Sequence, residues 1–279
     1  GRLLDNARAE QAQRHPPPLR KRIGLAILPR RRLLRILARL AGAARRAGLA
    51  RLVPALRRAP ARLRLETWKS DHPPAGVAGP RVGLFVGCIA EVADTETRRS
   101  AIRVLNACGF HVVMPPGQTC CGALHQHSGL ADKAADLGDC TREAFKSAGV
   151  DMTVSTATGC GAQLAEHVLG NAHRDIIQWL VEGNRVRDLA PAPLRATVAI
   201  QVPCTQRNVL DGAGATLDLL REIPGLEARV LPTHPKCCGA AGSYLLEHPA
   251  IADELGRTQA ESIATVSYTH LTLPTKRIV

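Results

Sequence analysis

The sequence predicts an α/β protein of two pseudo-symmetric cysteine-rich modules with mainly parallel sheets, preceded by a basic helical segment. Three observations carry this prediction. From residue 81 onward, short apolar runs alternate with polar helical stretches, the pattern of strand-helix units on a parallel sheet. The chain also repeats itself: Val82-Gly-Leu-Phe-Val-Gly-Cys88 aligns with Val198-Ala-Ile-Gln-Val-Pro-Cys204, and Cys120-Cys-Gly-Ala123 is identical to Cys237-Cys-Gly-Ala240. Finally, charge is segregated. Residues 1–65 carry 18 Lys and Arg against Asp5 and Glu10, a net +16, and the rest of the 279-residue chain is close to neutral at −3.

The basic segment comes first. From Pro29 to Leu65 it is mostly Arg, Leu and Ala, with Leu33, Leu37, Leu40 and Ala44 at helical spacing, and Pro54 and Pro60 break it up. The proline-rich stretch 70–80 reads as a linker. In the first module, a strand is expected over Val82–Val86, a helix over Asp94–Cys108, a strand over His111–Met114, a helix over Ala131–Ala148 and a strand over Met152–Thr156. The second module repeats the order, with a strand over Thr197–Val202, a helix over Gln206–Ile223, a strand over Ala228–Leu231 and a helix over Ile251–Ile263. The expected divisions are a basic helical connector at 1–69, a linker at 70–80, a first module at 81–190 and a truncated second module at 191–265. Residues 266–279 differ in texture from the helix before them and are expected to be an artefactual tail, with both ends of the natural chain missing.

Several function classes fall away at this stage. An aromatic content of 3% weighs against stacking platforms for nucleic acid. No apolar run reaches the roughly 18 residues of a spanning helix, and no leader pattern opens the chain. Gly83-Leu-Phe-Val-Gly87 is too short for a dinucleotide fingerprint. The expectation is a cytoplasmic protein that binds no nucleic acid, with a peripheral place on the inner membrane as the role open to its basic helices.

Nine cysteines in a reducing compartment point to metal or redox chemistry rather than disulfides. No Cys-x-x-Cys pair of the kind that grips zinc occurs. Adjacent cysteines suit a cluster of several irons, and a following glycine lets the backbone approach it. Cys88, Cys120, Cys121 and Cys160 supply four thiolates in the first module. Cys204, Cys237 and Cys238 supply three in the second, where the repeat offset would place the fourth ligand at Arg277. His125 and His127 are candidates to hydrogen-bond cluster sulfur or to supply a proton. Cys108 and Cys140 lie in predicted helices and are expected to be packed in the core. No residue is assigned as an acid, base or nucleophile.

Four segments then carry a resemblance: Gln118-Thr-Cys-Cys-Gly-Ala-Leu-His-Gln-His-Ser-Gly129, Thr158-Gly-Cys-Gly-Ala162, Pro203-Cys204 and Lys236-Cys-Cys-Gly-Ala-Ala-Gly-Ser-Tyr244. They resemble the cysteine-rich CCG domain of heterodisulfide reductase subunits and of the iron-sulfur subunits of flavin dehydrogenases, most of all those of glycolate oxidase. The resemblance covers roughly residues 1–264. It implies a 4Fe-4S cofactor here, FAD only in flavin-containing partner subunits that oxidise glycolate, and onward transfer of electrons to the respiratory chain. Related readings are a heterodisulfide reductase-like or lactate-utilisation subunit; a reading from another class is a basic membrane- or nucleic-acid-binding scaffold with structural metal. The family's ferredoxin-like region is not present, and Ala157 stands where the general pattern has a further Cys, which argues against a five-cysteine cluster.

Overall fold

Strand β2 (Arg81–Phe85) carries four buried residues in a row, so it has to be covered on both faces. Val82, Leu84 and Val86 enter one apolar cluster and Phe85 enters another. Strands β3 (His111–Val113) and β4 (Thr153–Ser155) flank β2 in parallel, and β5 (His173–Asp175) extends the sheet beyond β4. β1 (Asp71–His72) closes the other edge antiparallel to β3, so the stretch read as a linker opens with an edge strand. The computed structural model describes residues 2–49, 65–76, 79–186, 189–231, 237–240 and 242–264. The breaks expected at Pro54 and Pro60, the tail from 266 and the missing ligand position at Arg277 lie outside those residues.

The helices of this module divide between the two faces. The helix following β2 is preceded by a short turn of helix, α4 (Ala90–Ala93), and begins where the Asp94 side chain accepts from the Thr97 N–H. This helix, α5 (Thr95–Ala107), places Ala101, Ile102 and Leu105 in the first cluster beside Trp179 and Leu180 of α9 (Ile176–Glu182). Helix α7 (Ala131–Ser147) buries Ala134, Gly138, Thr141 and Phe145, a stripe at helical spacing, and delivers Phe145 to the opposite cluster. Leu164 and Val168, in the π-helical turn that continues α8 (Thr158–Gln163), join it there. Connections leaving β2 and β4 therefore depart to opposite faces. That arrangement opens a crevice at the C-terminal ends of the two strands, where open α/β sheets gather their ligands.

Gln118 ties the loop after β3 to the end of β2. Its side chain accepts from Val86 N–H at 2.8 Å and donates to the Leu84 carbonyl at 3.2 Å, fully buried. Gln118→Ala leaves both backbone groups unpaired and is expected to cost about 2–3 kcal/mol, read from urea denaturation of iron-free protein.

β5 has only polar side chains. His173 is buried with its Nε2 3.3 Å from Ser155 Oγ, and Asp175 caps α9 by accepting from the N–H groups of Ile177 and Gln178. Burial pushes the His173 imidazole down to about 4 from its ordinary 6.5. Between those values the unfolded chain binds the extra proton and the folded chain does not, so folding stability is lost as pH falls through that window. Burial also pushes the Asp175 carboxyl up, which acts in the opposite sense. Comparing wild type with His173→Gln cancels the Asp175 contribution: the wild type should lose up to about 3 kcal/mol more than the variant between pH 6.5 and 4, measured by urea denaturation.

The second module repeats the start of the first. β6 (Ala196–Ile200) pairs in parallel with β7 (Leu226–Val230). Helix α13 (Pro249–Ala264) follows the second Cys-Cys-Gly as α7 follows the first. The helix expected over 206–223 is two pieces, α10 (Cys204–Asn208) and α11 (Ala215–Arg221). Gly212 and Gly214 fall between them with Asp211 at φ +53°, a left-handed residue that a continuous helix does not allow. The modules touch: α10 packs on α8 and α11 on α9.

Helices α1 (Arg2–Arg14), α2 (Leu19–Ile27) and α3 (Arg31–Arg46) form the basic segment, and α1 and α2 reach further toward the N-terminus than the leucine spacing predicts. They lie on the modules. α1 packs on α6 (Ala123–His127), Lys21 pairs with Glu247 of α12 (Tyr244–Glu247) at 2.7 Å, and Leu28 and Leu34 pack against the cluster that holds Phe85. Among the described residues, no helix is long and apolar enough to cross a membrane.

Candidate metal centre

Three chain segments bring cysteines to the crevice at the strand ends. Cys88 follows β2, Cys120 and Cys121 lie in the loop after β3, and Cys160 sits in the first turn of α8 after β4. All four belong to or pack against one buried cluster, and Cys88, Cys120 and Cys121 are themselves buried. The Cys88 and Cys120 sulfurs are 3.5 Å apart. Cys160 Sγ lies 3.7 Å from where a Cβ on Gly87 would stand, and Cys160 is among the groups that push the Cys121 thiol up. Among the described residues, no group of three or more His, Cys, Asp or Glu side chains is placed to hold a single metal ion.

The clustered sulfurs shift one another's proton affinity. Cys120 is held far below the ordinary thiol range, first by the Cys121 hydrogen bond, then by Cys88, with His125 and the Gly122 N–H adding to it. Cys88 and Cys121 are pushed up in turn, because each shares its hydrogen bond with Cys120 and is buried. Thiolate is the ligating form, and an all-sulfur donor set is the one that soft iron-sulfur centres use. The residues present therefore fit such a group.

The Cys-Cys-Gly turns need their glycine for two reasons. Gly122 has φ +86°, and a Cβ there would stand 2.8 Å from the Ala134 carbonyl oxygen at the start of α7. Gly239 has φ +77°, and its Cβ would stand 2.5 Å from the Ala252 carbonyl oxygen at the start of α13. The internal repeat is thus a repeat of geometry as well as of letters.

The other expectations fare unevenly. Cys204 and Cys237 are exposed and Cys238 is partly buried, with Gly239 N–H donating to Cys237 Sγ at 3.4 Å. His125 is buried beside Cys120, whose proton affinity it lowers, and its Nδ1 has no partner among the described residues, whereas His127 faces Arg8 Nη1 at 3.3 Å, and burial beside that arginine pushes its imidazole down. Cys108 packs against the first core cluster. Cys140 is exposed, contrary to the expectation of core packing, because it stands off the stripe of Ala134, Gly138, Thr141 and Phe145 that α7 buries. Sequence reasoning did not single out the contribution of the basic segment. Leu28 and Leu34 wall the cysteine pocket, and Arg35 meets buried Glu91, three residues after Cys88, at 2.8 Å.

One cysteine crevice at the strand ends and a Cys-Cys-Gly turn that occurs twice define a class: the chain belongs to the cysteine-rich CCG domain family, whose pattern matches residues 82–165 and 198–274. Its relatives include a subunit of the fumarate reductase (CoM/CoB) of Methanothermobacter marburgensis, 32% identical over 197 residues, which cover 66% of this chain and 38% of that protein. The probable glycolate oxidase iron-sulfur subunit of Bacillus subtilis is 30% identical over 191 residues, 62% of this chain and 42% of the relative. Lactate utilization protein A of Oceanobacillus iheyensis is 25% identical over 206 residues, 68% of this chain and 83% of the relative. The chain thus spans well under half the length of the first two relatives and most of the third. It is related to iron-sulfur subunits of oxidoreductases.

Proposed function

We propose that this chain is an electron-relay subunit of a flavin-dependent 2-hydroxy acid dehydrogenase, with glycolate as the donor. The convergence of Cys88, Cys120, Cys121 and Cys160 at the C-terminal ends of β2, β3 and β4 carries this reading. Those four cysteines hold a 4Fe-4S cluster, and Cys204, Cys237 and Cys238 serve a second centre. When bound, such a cluster accepts and releases single electrons, the complement to two-electron oxidation at FAD in the partner subunits. The chain's own residues do the rest. His125 and the Gly122 N–H lower the proton affinity of the Cys120 sulfur, Gln118 fixes the loop that carries the cysteine pair, and Phe85, Leu164 and Val168 keep water from one side. No residue has to handle substrate. A cytoplasmic site with peripheral contact at the inner membrane would use α3, where Ile36 and Leu40 are exposed among arginines.

The long match to the lactate utilization protein favours a second donor, lactate, served by the same relay. Reconstitution with the flavin-containing subunits distinguishes them. Glycolate should bring up the electron paramagnetic resonance signal of the reduced cluster, and a signal that only lactate elicits would reassign the donor. Absence of signal with either acid, in a preparation that dithionite does reduce, would refute the 2-hydroxy acid role.

A further inference from the structure

Beside Cys88 the fold buries more positive charge than it pairs. Arg31 and Arg35 stand one turn apart at the start of α3, on the face turned toward the first module. Arg35 meets Glu91 at 2.8 Å, and Arg98 of α5 meets the other oxygen of the same carboxylate at 3.2 Å. Arg31 lies within electrostatic reach of Glu91, Arg35 and Cys88. Three guanidiniums therefore share one carboxylate whose side chain is 7% exposed. The nearby acids are occupied elsewhere: Asp94 caps α5, and Glu66 pairs with Arg99. Arg98 also donates to the Ala90 carbonyl and lies over the Trp68 ring at 5.0 Å, and Arg35 donates to the Glu66 carbonyl. Even so, Arg31 Nη2, Arg35 Nε and Arg98 Nε are buried without an acceptor. Guanidiniums do not discharge to escape such a place, so the surplus is a standing cost unless negative charge is supplied.

We propose that Arg31, supported by Arg35 and Arg98, is the counter-charge for the thiolate-bound cluster at Cys88 and raises its reduction potential. This rests on the reading of Cys88 as a ligand. Arg31 is a positioning residue in this account: it touches no substrate and gives up no proton. One-electron reduction of a bound cluster, by the flavin partner or by dithionite in a test, would add negative charge to the group that the four thiolates hold. The fixed guanidinium favours that state over the oxidised one.

The test is a potentiometric titration, followed by electron paramagnetic resonance, of the anaerobically purified full chain as wild type, Arg31→Gln and Arg31→Lys. Arg31→Gln should disfavour reduction about tenfold, a fall of about 59 mV for one electron. Arg31→Lys, which keeps the charge, should stay near wild type. A loaded Arg31→Gln protein with the wild-type potential overturns the proposal. Urea denaturation of iron-free protein gives a second readout. Loss of an uncompensated charge should leave the Arg31→Gln midpoint unchanged or raised, and a lowered midpoint marks an ordinary structural arginine and overturns the proposal. Iron counted in the wild type keeps the two claims apart: a wild type without a cluster removes this inference together with the cluster assignment, whereas a loaded wild type with an unshifted variant removes this inference alone.

Discussion

Cys120→Ser is expected to abolish the cluster of the first module. Cys120 is the sulfur on which the pocket converges: Cys88 approaches it at 3.5 Å, and Cys121, His125 and the Gly122 N–H all lower its proton affinity. Serine keeps the shape but offers a hard oxygen that stays protonated at neutral pH, so it cannot replace a soft thiolate toward iron. The loss of bound iron should exceed the roughly 10–100-fold decrease that follows removal of an outer hydrogen-bond partner of a metal ligand. Cys140→Ser, on the exposed side of α7, is the matched control and should leave iron content unchanged. Equal iron and equal spectra in Cys120→Ser and wild type would refute the role of Cys120.

Gly122→Ala is expected to destabilise the iron-free protein by about 3 kcal/mol and to prevent cluster loading. The left-handed backbone alone costs an alanine about 1–2 kcal/mol. The added Cβ, 2.8 Å from the Ala134 carbonyl oxygen and 3.1 Å from its Cα, then forces apart the cysteine loop and the first turn of α7, an overpacking cost of about 1–3 kcal/mol. Both groups are backbone and cannot swing away. Gly239→Ala should behave alike in the second module, where the contact with Ala252 is closer still. Urea denaturation measures both, and a Gly122→Ala midpoint equal to wild type would contradict the packing described for the turn.

The parts of the fold legible in the sequence are those in which one physical signal dominates. Val82, Leu84 and Val86 on one face and Phe85 on the other announce a strand buried on both faces, and the stripe through Ala134, Gly138, Thr141 and Phe145 announces α7. The repeated Cys-Cys-Gly located the site because so few arrangements tolerate adjacent cysteines before a left-handed glycine. What escaped had no such signal. His173-Arg174-Asp175 carries no apolar alternation, and it becomes a strand because its polar side chains find Ser155 and the N-terminus of α9. The break between α10 and α11 turns on Gly212 and Gly214, which a propensity reading passes over in a helical window. The basic segment was legible only in outline. A net +16 with leucines at helical spacing reads as a connector whose leucines pack on neighbouring domains, as Leu28 and Leu34 do, but nothing in Arg-Leu-Ala composition tells that this packing falls beside the cysteines or that Arg31 comes near Cys88.

The central claim is that the first module holds an iron-sulfur cluster on Cys88, Cys120, Cys121 and Cys160. Anaerobic purification of the chain, with iron, zinc and acid-labile sulfide counted on the same sample and an electron paramagnetic resonance spectrum taken after dithionite reduction, tests it most directly. The account predicts iron and sulfide in equal amounts, little zinc, and a signal from the reduced sample that vanishes in Cys120→Ser. A protein that retains zinc, contains neither iron nor sulfide and gives no signal would contradict it.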